Sequence, residues 1–134
     1  MATIRERLDA YVSEKYGIEP EWLPFFHEDY AVYRHTETGK WFAVFITKDR
    51  ESFGLPGTGT AEIVSFKPDN QFVVYQATGR PGFLLGYPSA KWKWLSVVLD
   101  GSVPFEEICR WIDDSFEMTK SKTGNKKVPL LRKK

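Results

Sequence analysis

One cysteine, two histidines and no long apolar run are the scarcities of this 134-residue chain. Each removes a class of function. Cys109 has no partner for an internal disulfide, so a reducing compartment is expected and no disulfide framework holds the fold. A thiolate metal cluster is ruled out for the same reason. His27 and His35 stand near Glu28 and Asp29 at a spacing that matches no zinc pattern. The apolar runs fall well short of the roughly 20 residues that a membrane-spanning helix needs. The N-terminal "MATIRERLDAYV" carries charge where a signal peptide requires an apolar stretch. A cytoplasmic chain with no membrane partner, no metal and no other cofactor is the expectation.

Signs of catalysis are equally scarce. A nucleophile needs a neighbouring base and an orienting third group, and nothing in the sequence pairs either imidazole with one. Cys109 falls on the apolar face of the last predicted helix, where an inert buried thiol is expected. Ser115 lies near the end of that helix and is expected to bond to backbone. "GLPGTGT" (residues 54–60) lacks the Lys-Ser/Thr of a phosphate-binding loop. The reading is that the chain is not an enzyme.

What the chain does have is size, aromatics and a lopsided charge. Its length suits one domain that buries a single core. A hydrophobic content of 42% is ordinary for a globular protein, whereas 16% aromatic is high. The net charge of +1 hides an asymmetry. Residues 120–134, "KSKTGNKKVPLLRKK", hold seven basic residues and no acid, which leaves the remaining 119 with a net of −6. Such a body does not grip phosphate over its whole surface. The division is therefore a domain over 1–119 and a basic C-terminal tail over 120–134. The tail reads as a disordered arm suited to nucleic acid, interrupted by "VPLL", which is suited to docking on the body.

Local signals give the order of elements. In "TIRE", Thr3 and Glu6 form a capping box; Ile4, Leu8, Tyr11 and Val12 recur at helical spacing, and Gly17 offers a left-handed stop. A helix over about 3–16 follows. "IEPEWLPFF" carries two prolines that argue against regular structure, and its Trp22, Phe25 and Phe26 are expected to anchor it on the core. "DYAVYRH" and "KWFAVFITK" around "TETG" predict a hairpin. Alternation assigns Trp41, Ala43, Phe45 and Thr47 to one face and Phe42, Val44 and Ile46 to the other. "DRESFGLPGTGT" reads as a connection and "AEIVSF" as a third strand. A short helix is predicted from Asp69 or Asn70. "KWKWLSVVL" (91–99) is the next strand, with Trp94 in the core beneath the last helix. Pro104 opens that helix, and Phe105, Ile108, Cys109, Ile112 and Phe116 mark its apolar face through about 118. The fold class is α+β: an antiparallel sheet packed against N- and C-terminal helices.

The ending carries a resemblance. "GYPSAKWKWLSVVLDGSVPFEEICRWIDDSF" resembles the C-terminal signature of the MmcQ/YjbR family: a Gly-Tyr, a Lys two residues before His-Trp, "LDG-x-VP", a helix, and a Ser-Tyr near its end. Gly86, Tyr87, Lys91, Trp94, Leu99, Asp100, Gly101, Val103, Pro104 and Ser115 fall on it. "GKWFAVF" and "VSFKPD" look like two of the family's strands. The resemblance covers roughly residues 1–119. It implies a frataxin-like sandwich and a DNA-binding role through a double-wing motif. The chain departs from the pattern at Lys93, Pro88 and Ala90, where the family has two His and an Asn. Lys93 keeps a donor and a positive charge.

The expected function is accordingly weak, largely sequence-independent DNA binding. The candidate contacts are Lys40, Lys67, Arg80, Lys91, Trp92, Lys93, Lys120, Lys122, Lys126 and Lys127. "TETGK" and "SFGLPGTGT", with Lys40, Lys48 and Arg50, are the wings that the resemblance implies, while the residues alone favour plain connections. Strand-end lysines also serve to shield a sheet edge. Arg80, between glycines, either clamps an anion or is solvated, and solvation is favoured. The competing reading is a protein-interaction module that uses the aromatic "EWLPFF" surface and the acidic body; on either reading a monomer is favoured.

Overall fold

Thr3 opens the first helix as its sequence requires. In the computed structural model its hydroxyl accepts from the Glu6 amide, and the Glu6 carboxylate accepts from the Thr3 amide. The helix α1 runs Ile4–Tyr16 and ends at Gly17, whose φ of 68° no β-carbon favours. The structure describes residues 2–22, 29–68, 76–77, 79–85 and 94–120. Phe25, Phe26, the helix expected from Asp69 or Asn70, residues 91–93 and the tail beyond Lys120 lie outside them.

Six strands follow among the described residues: β1 Glu21–Trp22, β2 Asp29–Arg34, β3 Trp41–Asp49, β4 Thr60–Phe66, β5 Phe83–Leu85 and β6 Leu95–Val98. A 3₁₀ turn, Arg50–Phe53, links β3 to β4, and a final helix α2 spans Phe105–Thr119 behind Pro104. The strands form one antiparallel sheet in the order β1-β2-β3-β4-β6-β5. The expected α+β arrangement, one sheet with a helix from each end of the sequence, is what the chain adopts. No helix among the described residues is long and apolar enough to cross a membrane.

Both faces of the sheet are buried, against different material. On one, Leu8 and Val12 of α1 and Ile108, Cys109 and Ile112 of α2 meet Tyr33, Phe45, Val64, Phe66, Leu95 and Val97. On the other, Val32, Val44, Ile46, Ile63, Trp94 and Val98 pack with Phe53 and Ala61, with no residue of either helix among them. Ser65 and Ser96, directly opposed in β4 and β6, bury their hydroxyls by bonding each other at 2.7 Å.

Four expectations change. First, Trp94 is buried, at 6% exposure, on the sheet face away from α2. Leu95 and Val97 are the residues that the helices cover. Second, strict alternation fails at the start of β3. The register shifts so that Tyr33 faces Ala43 and Arg34 faces Trp41, leaving Phe42 as an extra residue. This bulge turns Phe42 to the helix side with Ala43 and Phe45, and sends Trp41 to join Val44 and Ile46. Third, the proline-bearing segment contains the edge strand β1, and Trp22 is 55% exposed rather than an anchor. The Arg5 guanidinium lies 5.0 Å from its ring centre and 4.3 Å from that of Phe45. Fourth, β5 went unforeseen. Gly82 precedes it at φ 88°, and a β-carbon there would meet the Ser102 β-carbon at 2.8 Å. Only glycine fits so close to the turn that leads into α2.

Candidate functional site

Of the ten candidate DNA contacts, Lys40, Lys67, Arg80 and Lys120 lie among the described residues. Lys91, Trp92, Lys93, Lys122, Lys126 and Lys127 do not. Two of the four, Lys40 and Lys120, both act on the charge of His35. Lys40 begins the return arm of the β2–β3 hairpin, its carbonyl accepting from the His35 amide at 2.9 Å. Lys67 is exposed just past β4. Arg80 makes two parallel hydrogen bonds to Glu107 at 2.7 and 2.8 Å, and its guanidinium packs 4.8 Å from the Phe83 ring centre. It clamps the protein's own carboxylate while its side chain stays exposed. The Arg80 bonds, joined by the Trp111 indole N–H, hold the Glu107 carboxyl below its usual range. Lys120 pairs with Glu117 at 2.8 Å. Arg50, in one of the two presumptive wings, donates to the Pro56 carbonyl at 2.6 Å and so ties its own loop together.

The structure brings together a different set at the end of α2. Ser115, expected to bond to backbone, does so twice: its hydroxyl donates to the Phe42 carbonyl at 2.6 Å and accepts from the Lys67 amide at 2.9 Å. The β3–β4 register, Ala43 opposite Phe66, would next pair Phe42 with Lys67. The helix hydroxyl therefore occupies the place of the next rung of the ladder, where the Phe42 bulge interrupts it.

One turn on, Thr119 donates to the Ser115 carbonyl at 2.7 Å. Its single hydroxyl hydrogen is thereby used. His35 Nε2, 2.9 Å away, must be the donor to Thr119 Oγ1. Burial lowers the His35 pKa below its ordinary value, with Lys40 acting in the same direction. Neither arrangement gives a nucleophile with a free base. Burial likewise pushes the Cys109 thiol up to about 11, which keeps it protonated and unreactive.

A linkage prediction follows from His35. Below its usual pKa of about 6.5 the unfolded chain takes up a proton that the folded site resists, so stability is lost as pH falls through that value. Denaturant midpoints measured from about pH 7.5 to 5.5 should drop in the wild type. His35→Gln, which retains an N–H donor for Thr119, should show a shallower drop. Parallel curves for the two proteins would refute the assignment.

Around His35 the aromatic rings close up. Phe116 stacks on Tyr16 at 3.9 Å between centres, and His35 lies 4.4 Å from Phe116 and 5.1 Å from Phe42. The Tyr16 and Tyr11 hydroxyls and the Lys15 ammonium all converge on Asp113. Burial acts to raise the Asp113 pKa, but these three donors outweigh it and hold the carboxyl below its usual range. The result is an open depression of about 550 Å³ lined by Tyr16, Ile18, His35, Thr36, Glu37, Phe116 and Lys120. Sequence reasoning missed it, because its walls come from α1, the hairpin turn and α2, and no local motif links them. No group of three or more metal-ligating side chains occurs among the described residues.

Comparison with known proteins places this architecture. A family model described as YjbR matches residues 13–118. The uncharacterized protein YyaQ of Bacillus subtilis is 34% identical over 116 residues, which cover 87% of this chain and 98% of that protein. A crystal structure of a Pseudomonas syringae protein, a structural-genomics target, is similar with a TM-score of 0.78 at 30% identity, covering 86% of this chain and 97% of that one. A solution structure from the same organism gives 0.73 at 29% identity, with 88% and 94% covered. The match takes in α1 from Ser13, the whole sheet and α2 to Met118, and on that footing the chain belongs to the MmcQ/YjbR family.

Proposed function

We propose that this chain associates weakly with DNA, with little sequence preference, and that residues 120–134 supply most of the contact. The observation that carries the reading is the partition of charge: seven basic residues and no acid in that segment, against a net of −6 in the other 119. Four cations of the body are committed to its own acids. Arg5 reaches Glu62, Lys15 reaches Asp113, Arg34 reaches Glu21 and Arg80 reaches Glu107. With a net of −6, the body is on balance unfavourable to phosphate, and the basic segment is where the sign reverses. The reading assigns the protein no catalytic step.

Removing residues 120–134 should weaken binding to a DNA duplex and flatten its salt dependence. If four of the segment's charges contact phosphates, the slope of log K against log salt should fall by about 3–4 units. A slope unchanged by the truncation would overturn the proposal. The second reading, a protein-interaction module, is favoured by Trp22, a large aromatic side chain 55% exposed on the edge strand β1. Binding of that kind is apolar and changes little with salt.

A further inference from the structure

We propose that the depression beside the end of α2 is a docking site for the chain's own "VPLL" segment, residues 128–131. Three observations converge on that occupant.

The first is reach. Lys120, the last described residue, itself lines the depression. Residues 121–127 then span at most about 25 Å when extended, at about 3.3–3.6 Å each. That is ample to carry Val128 back over a site that begins next to Lys120.

The second is shape and polarity. The stacked rings of Tyr16 and Phe116 are only half-buried and, with Ile18, form an apolar floor of two aromatics and one aliphatic side chain. "VPLL" is the sole apolar stretch between Gly124 and Lys134. Pro129 restricts its backbone before binding, so less entropy is lost on docking than a freer segment would lose.

The third is charge. Glu37 stands exposed on the rim and makes no ion pair among the described residues. "VPLL" is bracketed by Lys126 and Lys127 before it and by Arg132, Lys133 and Lys134 after it. An apolar core with basic flanks complements an aromatic floor whose rim carries Glu37, unpaired among the described residues, the other rim charge, Lys120, being held by Glu117. Docking would also cover part of the segment that the preceding section assigns to DNA, so it would act as a brake on that binding. The docking itself does not depend on the DNA reading.

The test uses the full chain carrying a nitroxide at Lys133→Cys, with Cys109 left in place as a buried thiol. Amide signals of Thr36, Glu37 and Phe116 should lose most of their intensity, and those of the distant turn at Glu51 and Ser52 should keep theirs. Leu130→Ser with Leu131→Ser should restore the lost signals. Glu37→Lys, an exposed hairpin-turn change that leaves the core alone, should restore them in part. Broadening that survives the double substitution, or no broadening at all, would overturn the proposal. So would broadening of an isotope-enriched copy without nitroxide when the nitroxide is carried only by a second copy at natural isotopic abundance, which would make the occupant another molecule. If docking is confirmed and the released variants bind DNA no better than wild type, the brake fails and the docking stands; the DNA reading itself falls only if truncation leaves the salt slope unchanged.

Discussion

Replacing Trp94 with alanine is expected to lower the denaturant midpoint sharply or to leave the chain insoluble. Trp94 is 6% exposed and sits among Val32, Val44, Ile46, Ile63 and Val98, on the side of the sheet that neither helix reaches. That second core is assembled around it, with Ile46, Phe53 and Ile63 buried and Tyr30, Trp41, Leu55 and Leu84 packed against them, so its removal leaves a cavity that fixed strand positions cannot readily close. Truncating a buried tryptophan typically costs about 3–5 kcal/mol. A domain of this size is held together by roughly 5–15 kcal/mol. Trp22→Ala is the internal comparison: its ring is exposed, and the Arg5 contact it would lose is worth about 0.5–1 kcal/mol at such a site. Trp94 emission, isolated by conservative replacement of the other tryptophans, should be blue-shifted and unmoved by DNA. Equal midpoints for the two alanine variants, or quenching of Trp94 by DNA, would show that it is a binding surface.

Ser115→Ala is expected to be the most costly loss of a single oxygen in the molecule. Ser115 is fully buried, and its hydroxyl satisfies the Phe42 carbonyl and the Lys67 amide together. Each buried group left without a partner costs about 1–3 kcal/mol. The hydrophobic gain from alanine is too small to offset two such losses. Thr119→Val, one turn later, removes a hydroxyl that pairs with His35 and a helix carbonyl, so it shares the network without touching the ladder. The urea midpoint should fall further for Ser115→Ala than for Thr119→Val. A midpoint within about 0.5 kcal/mol of wild type, the range of ordinary surface changes, would mean that the bridge is dispensable.

The sequence disclosed what neighbouring residues decide among themselves. Thr3 and Glu6 bond each other, Gly17 ends the helix that they begin, and Pro104 marks the start of α2; all of these signals lie within a few positions. The β2–β3 hairpin was equally legible from its aromatic arms around Gly39. Alternation correctly told that β3 is buried on both sides, but it cannot reveal a bulge, because Phe42 differs from its neighbours only in what lies opposite. β5 is three residues long behind a glycine, too short to show a period. The burial of Trp94 was legible from its place in an apolar run; which helix-free face it enters depends on the register with β4. The site was the least readable part. Arg80 meets Glu107 across 27 positions and His35 meets Thr119 across 84, and no spacing rule reaches that far.

The stretch most inclined to self-association is Trp41–Thr47, aromatic and β-branched, with no charge until Lys48. In the folded sheet it is third of six among the described residues, with partners on both sides, and the described parts of the outermost strands are two and three residues long. Short edges give a passing chain little to add to. Lys40, Lys48 and Asp49 flank the stretch and oppose stacking of like segments. Protection from self-association therefore rests on keeping one strand out of sight, and variants that open the sheet are expected to aggregate more readily than to persist as separate unfolded chains.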